Sequence, residues 1–247
     1  MPALAPATPI RLPPPSSPAL AVFTQTAAPG LAKTRLIPLL GGLGAAELHA
    51  AMVADTLRKV AALPADIARH MFVARAPLRG MPENFTWRRQ RGKDLGERLQ
   101  NALHVLLRHH PSVVVIGTDS PLLAPRVLRE AFADLEKSDA VLGPSLDGGY
   151  YLLGLRRYHM GLFRGVRWSS ADTFQDMLRN LEERGYSCKV LEPCGVLDQP
   201  AEVIRLRSTL KSNPSVRRLA PATWKFLQSR GEVIQALPGF QYMPPAE

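Results

Sequence analysis

Residues 112–117 place four apolar residues in a row, Val113, Val114, Val115 and Ile116, between Ser112 and Gly117. Nothing polar alternates along this run, so a strand made from it must be covered on both faces. That is the condition of an inner strand in a parallel sheet. The chain must then supply helices for both faces, and it does so in alternation with further strands. Residues 19–24 read as a first strand, 45–63 as an Ala-rich amphipathic helix and 67–74 as a second strand. Residues 94–109 carry Leu95, Leu99, Ala102, Leu103 and Leu106 at helical spacing behind an Asp94-x-x-Glu97 capping pattern. Helices are predicted over 125–136, 173–184 and 200–210, and strands over 140–143, 150–155 and 188–191. The Asp147-Gly148-Gly149 turn precedes the run that starts at Tyr150. Strands and helices alternating at this spacing predict βαβ units with right-handed crossovers. The expected fold is a single three-layer α/β/α domain with a mostly parallel sheet.

Seven of the 23 prolines fall within residues 1–18, which excludes helix interiors and central strands there. The expected organisation is a disordered tail over 1–18, the domain over 19–210, and a C-terminal extension over 211–247 holding no second domain. The net charge of +10 raises the question of nucleic acid. The cations are scattered, however, and the densest group is only Arg88, Arg89, Arg91 and Lys93 beside Trp87. Single-strand binding needs several interleaved aromatics, and aromatics make up 6% of the chain. The expectation is therefore no nucleic acid, but a basic loop that attracts a small polyanion. Cys188 and Cys194 form neither a zinc motif nor a disulfide scaffold and read as reduced thiols. The run from Val113 to Ile116 is too short to cross a bilayer, and no basic-then-apolar leader opens the chain. No membrane span and a cytoplasmic location are expected by elimination. The six histidines form no metalloprotease or nucleophile–base pattern and read as structural, as does Gly41-Gly42-Leu43-Gly44.

Four segments carry chemistry. The first, residues 28–36, leaves the first strand with Pro29, Gly30, Lys33, Thr34 and Arg35. A loop at the carboxyl end of a parallel strand opens toward the ligand crevice, where Lys33 and Arg35 can neutralise phosphate oxygens; the alternative is a surface loop with incidental charge. It is no Walker loop, since Ala32 and Ala27 stand where glycines are needed. The second, Gly117-Thr118-Asp119-Ser120-Pro121, ends the buried strand in a carboxylate that must be solvated, paired or metal-bound. Asp119 thus reads as a metal or phosphate ligand, against a plain cap of the following turn. In the third, Asp147, Gly148 and Gly149 offer backbone N–H groups and a hydroxyl acceptor, or simply make a hairpin turn. In the fourth, Asp198 before Pro200 is either a helix cap or a second metal ligand converging on Asp119.

Taken in order, these segments resemble one family: residues 23–36; Gln90-x-Gly92-x-Asp94-Leu95-Gly96-Glu97-Arg98; residues 117–121; residues 143–154; Leu162-Phe163 with Trp168-Ser169; and Asp198-x-Pro200. The chain is similar, over roughly residues 20 to 205, to the DUF2064 family of GT-A-type glycosyltransferase-like proteins. Some of these are labelled arsenosugar-biosynthesis glycosyltransferases. It is more distantly similar to molybdenum-cofactor and 2-phospholactate nucleotidyltransferases.

The resemblance implies a nucleotide-diphospho-sugar transferase fold and a metal-dependent transferase acting on a nucleotide sugar. Nucleotidyl transfer from an NTP, or a degenerate nucleotide-binding protein, are its alternatives. It implies Lys33, Arg35 and Asp119 as catalytic groups, and Pro29, Gly30, Thr34, Asp94, Leu95 and Gly96 as further nucleotide contacts. Asp119 and Asp198 would hold Mg2+ or Mn2+. Asp147, Gly148, Gly149, Tyr150 and Trp168 would line the side that receives a small-molecule acceptor. Gln25, Ala27, Val196 and Glu202 depart from the family pattern, at places where Lys, Pro and two acidic Asp residues are usual.

Overall fold

A computed structural model of the chain describes residues 17–75 and 82–230. The predicted tail over 1–18 lies outside these residues up to position 16, as does the extension beyond 230. The sheet has seven strands in the order β3-β2-β1-β4-β6-β5-β7. These are β1 (Ala19–Thr24), β2 (Ala68–Val73), β3 (Thr86–Arg89), β4 (Val113–Ile116), β5 (Ala140–Pro144), β6 (Tyr150–Leu155) and β7 (Cys188–Val190). All pair in parallel except β6, which runs antiparallel between β4 and β5.

The fold is the mostly parallel α/β/α sandwich expected. The apolar run of β4 is buried at all four positions, because it lies between β1 and β6 with helices on both faces. One face carries α2 (Leu95–Leu106) and α4 (Thr173–Glu183), whose Leu99, Leu103, Met177 and Leu181 pack on Ala21, Val115 and Leu153. The other carries α1 (Ile37–Ala61) and α3 (Pro125–Leu135), covering Leu20, Val22, Val114 and Ile116. A third cluster joins the start of α1 to α5 (Pro200–Ser212) and α7 (Pro221–Ser229), the short α6 (Pro214–Arg217) lying between them.

Two expectations are corrected, and a third observation bears on the apolar content of the chain. The first helix starts at Ile37 rather than residue 45, with Gly41 at φ 70° breaking its first turns. Its start is stabilised by Leu36, Leu39 and Leu40 in the third cluster, where tertiary burial overrides the poor helix propensity of three glycines. The basic segment read as a loop is the edge strand β3, parallel to β2. α1 with the turn before it, Thr34–Ala61, is long and apolar enough to cross a bilayer, which the length of β4 alone does not reveal. Half of that apolar stretch is buried inside the protein, and the helix also buries His49, Asp55, Thr56 and Lys59.

Those polar residues have partners. The carboxylate of Asp55 accepts from the backbone N–H groups of Ala222 (3.0 Å) and Thr223 (2.8 Å). α7 begins with Ala220 and Pro221, which offer no side-chain cap, so Asp55 caps it from another helix, against the positive end of its dipole. Replacing Asp55 by Ala leaves two N–H groups unsatisfied in a dry interface and is expected to cost about 2 kcal/mol, read as a lower denaturation midpoint. An unchanged midpoint would show that α7 is docked by its apolar residues alone.

A second buried pair sets a pH dependence. His110 Nδ1–H donates to the Ser17 carbonyl at 2.8 Å, so neutral His110 accepts at Nε2, and the His70 Nε2–H donates to it at 3.2 Å. His70 Nδ1 is left buried without a partner among the described residues. Burial, then the neighbouring His110 and Arg88, push His70 down to about 4. A folded-state value below the unfolded one means the unfolded chain takes up a proton first. The associated stability is therefore complete above about pH 6.5 and lost as pH falls toward 4, by on the order of 3 kcal/mol. His70→Gln is expected to flatten the stability–pH curve in that window, measured by urea unfolding at several pH values.

Candidate active site

The chain builds β1, β2 and β3 outward in one direction, then returns to lay β4 on the other side of β1. Between β1 and β4 the crossover direction reverses, so the loops leaving these two strands part and open a crevice at their carboxyl ends. The register places Val22 beside Ile116, and two residues further on the hydroxyls of Thr24 and Thr118 stand 3.4 Å apart. Asp119 follows directly.

The loop after β1 brings Lys33 onto this point. Lys33 adopts the left-handed conformation (φ 49°, ψ 43°), uncommon for a residue with a side chain. Its ammonium is buried, 2.9 Å from Asp119 Oδ2 and 3.5 Å from Asp198 Oδ1, and it donates to the Leu197 carbonyl at 2.5 Å. Arg35, in the 3-10 turn Thr34–Leu36, holds the other oxygen of Asp198 at 2.5 Å. The Leu197 N–H donates to the Asp119 carbonyl at 2.8 Å, tying the segment before α5 to the segment after β4. Four residues from three distant stretches, Lys33, Arg35, Asp119 and Asp198, thus form one ionic cluster. Lys33 is sealed in, while the Asp119 side chain is 46% exposed and Asp198 33%, so the carboxylates face outward.

Of the two sequence readings of Asp198, the cap is excluded. Gln199 caps α5, and Glu202 completes the box by accepting from the N–H groups of Asp198 (2.6 Å) and Gln199 (2.7 Å). Glu202 serves the helix start, which leaves the Asp198 carboxylate for the two cations.

Underneath lies a histidine that local sequence context does not assign to this place. His49 Nε2 is 3.1 Å from Thr24 Oγ1 and 3.2 Å from the Gln25 carbonyl, and burial holds the ring below its ordinary value. The available signal was a histidine on the apolar face of an Ala-rich helix. Lys59, pushed down to about 8 by burial, donates to the Pro121 carbonyl at 2.8 Å and fixes the turn after Asp119. Gln90 Nε2 donates to the Thr24 (3.0 Å) and Phe72 (2.9 Å) carbonyls, closing the ends of β1 and β2. Gly42 abuts Pro29 and Gly30, so the glycines of α1 support the first loop. Pro29, Gly30 and Thr34 are exposed in that loop, and Gly30 has φ 74°.

A second group forms on the same edge of the sheet. Asp94 caps α2, accepting from Glu97 N at 2.8 Å, and Leu95 is 43% exposed. A side chain on Gly96 would stand 2.9 Å from Trp168 Nε1, so Gly96 admits the indole against the first turn of α2. The Trp168 ring centroid lies 6.3 Å from that of Tyr150 and 6.1 Å from that of Phe163. The predicted nucleotide segment and the predicted acceptor residues therefore meet at Trp168, whose neighbour Ser169 has φ 57°. Asp147 Oδ1 accepts from Ser145 Oγ (2.5 Å) and Gly149 N (3.2 Å), which assigns that oxygen to the turn. Gly148 has φ 86° and no room for a side chain, since a Cβ would come 2.2 Å from the Ala171 carbonyl oxygen. Among the described residues no three acidic, His or Cys side chains gather as a ready-made metal cage. Asp119 and Asp198 are instead two carboxylates converging on one cation, the Lys33 ammonium.

Residues 48–170 match the family model described as an uncharacterized protein conserved in bacteria, DUF2064. No curated protein matches the chain by sequence. Among solved structures, the chain is similar to a Desulfovibrio desulfuricans G20 protein provisionally named a nucleotide-diphospho-sugar transferase. The identity is 29%, the TM-score 0.77, and the match covers 89% of this chain and 97% of that one. The fold is shared at TM-score 0.54 and 12% identity with 4-diphosphocytidyl-2C-methyl-D-erythritol synthase from Anaerococcus prevotii DSM 20548, over 78% of this chain and 96% of that one. A cytidylyltransferase from Leptospira borgpetersenii shares it at TM-score 0.51 and 8% identity, over 92% and 100%.

Proposed function

Residues 48–170 belong to the DUF2064 family, and from that premise we propose that the chain is a metal-dependent transferase acting on a nucleotide-activated substrate, transferring a glycosyl group from a nucleotide sugar to a small-molecule acceptor. The observation that carries this reading is the cluster at the β1/β4 crevice. Two half-exposed carboxylates stand beside one buried and one exposed cation where open α/β sheets bind ligands. Mg2+ and Mn2+ take one or two carboxylates plus phosphate oxygens, and Asp119 with Asp198 supplies that pair. When bound, the metal contributes neutralisation of the diphosphate charge.

The remaining chemistry belongs to the chain. Lys33, fixed by three oxygens, and Arg35 offer positive charge to a departing diphosphate without first having to be ordered. Pro29, Gly30 and Thr34 present the first loop to the phosphates, and Asp94, Leu95 and Gly96 flank the nucleoside. Tyr150 and Trp168 wall the acceptor side, with Asp147, Gly148 and Gly149 holding its turn. An acceptor hydroxyl attacks the anomeric carbon, the bond to the diphosphate oxygen breaks with its electron pair going to that oxygen, a nucleoside diphosphate leaves, and the hydroxyl proton passes to solvent.

A second reading is nucleotidyl transfer, in which the same Lys33 and Arg35 would serve a pyrophosphate leaving group. There an acceptor phosphate oxygen attacks the α-phosphorus of an NTP and pyrophosphate leaves. A product assay separates the two: nucleoside diphosphate released from a nucleotide sugar supports the first, pyrophosphate released from an NTP the second. If neither product forms across nucleotides, sugars and metals, the site is a nucleotide-binding remnant.

A further inference from the structure

The helices after the acidic pair carry an uneven charge. Between residues 200 and 229 the only acid is Glu202, against Arg205, Arg207, Lys211, Arg217, Arg218 and Lys225. Three of these cations do not lie along a flat stripe. Arg207, Lys211 and Arg217 surround a hollow of about 490 Å3 between α5, α6 and α7, completed by Trp224 and Gln228. None of the three forms an ion pair among the described residues.

Arg217 is held in place. Its Nε donates to the Leu210 carbonyl and its Nη2 to the Lys211 carbonyl, the unsatisfied end of α5, and its guanidinium lies 4.8 Å from the centre of the Trp224 ring. Nη1 has no partner among the described residues. Arg207 and Lys211 are one helical turn apart on α5, so their heads fall on the same face. Arg207 and Lys211 lie seven and eleven residues beyond Pro200, which at a helical rise is roughly 10 and 16 Å from the helix start beside Asp198, and none of the residues lining the hollow belongs to the Lys33–Arg35–Asp119–Asp198 cluster.

We propose that this hollow is a second ligand site, for a small phosphorylated anion. A pre-set guanidinium and two further cations with no ion-pair partner among the described residues select an anion with several acceptor oxygens. Trp224 and the Gln228 amide add an apolar wall and a neutral hydrogen-bonding group. The volume lies within the usual range of small-molecule sites, and the cations gather around one hollow instead of forming the extended basic track that a nucleic-acid strand needs.

The three tryptophans, Trp87, Trp168 and Trp224, give three indole N–H signals in a 15N-labelled full chain, with Trp224→Phe identifying the third. Titration with inorganic pyrophosphate and with AMP is expected to shift the Trp224 signal saturably. The Arg207→Ala/Lys211→Ala variant should weaken this response by roughly tenfold or more, its Trp87 and Trp168 signals showing that the fold is intact. Pyrophosphate alone acting points to a free-phosphate source, and tighter AMP to a nucleotide. No Trp224 shift at millimolar ligand, an equal shift in the double variant, or preferential binding of single-stranded RNA overturns the proposal. Loss of turnover on changing Asp119 leaves this result untouched, so the two sites are tested separately.

Discussion

Asp119→Asn is expected to lower turnover by about a thousandfold, on the order of 4 kcal/mol of transition-state stabilisation. The substitution keeps the shape of the side chain and its place after β4. It removes the negative charge that, in the proposed function, would hold a divalent cation together with Asp198. Because Asp119 is half exposed and its partner Lys33 keeps the Leu197 carbonyl and Asp198, the fold should lose no more than about 1 kcal/mol. Steady-state kinetics with the preferred nucleotide, alongside a denaturation curve, separates the two effects. Turnover within a few fold of the wild type would remove Asp119 from the reaction.

Lys33→Met is expected to act on activity and metal binding in opposite directions. In the protein as folded, the ammonium of Lys33 already neutralises the pair of carboxylates that a metal would bind. Met fills similar volume without charge, leaving Asp119 and Asp198 facing each other with only Arg35 nearby. Free Mn2+ should then bind more tightly in the absence of nucleotide, measured by calorimetry. Activity should still fall by about a hundred- to a thousandfold, since the preset cation for the leaving phosphates is gone. If Lys33 were only a buried structural ion, the variant would lose stability and its activity would track the folded fraction. If activity and Mn2+ affinity fall together, the ammonium helps the metal bind rather than competing with it.

The parts of the fold that a local pattern decides were legible. The four apolar residues of β4 require two covered faces, and Asp94 with Glu97 marks the start of α2. Where tertiary contacts decide, the pattern falls short. β3 is an exposed edge strand of Thr, Trp and two Arg, with no apolar alternation to reveal it. The start of α1 has glycines that local propensity disfavours, and exists because Leu39 and Leu40 meet Leu197, Val203 and Leu227. The docking of α7 depends on Asp55, 167 positions earlier than the Ala222 N–H it caps.

The site divides in the same way. Each segment could be marked as chemistry-bearing from its residues. That Lys33, Asp119 and Asp198 share one cluster could not be read from spacing, since it follows from the reversal of strand order between β1 and β4. His49 reads only as structural in the sequence, because a histidine on a helix face says nothing of what lies above it until β1 and β4 are placed.

The account rests on the crevice gripping a nucleotide polyphosphate through Asp119. The most direct measurement is the melting temperature of the wild type and of Asp119→Asn against a panel of NTPs and nucleotide sugars with Mg2+ or Mn2+, since a ligand that binds the folded state raises it by mass action. The expected result is a rise for at least one nucleotide that needs the metal and disappears in Asp119→Asn. The same rise in both proteins, or a rise indifferent to metal, would contradict it.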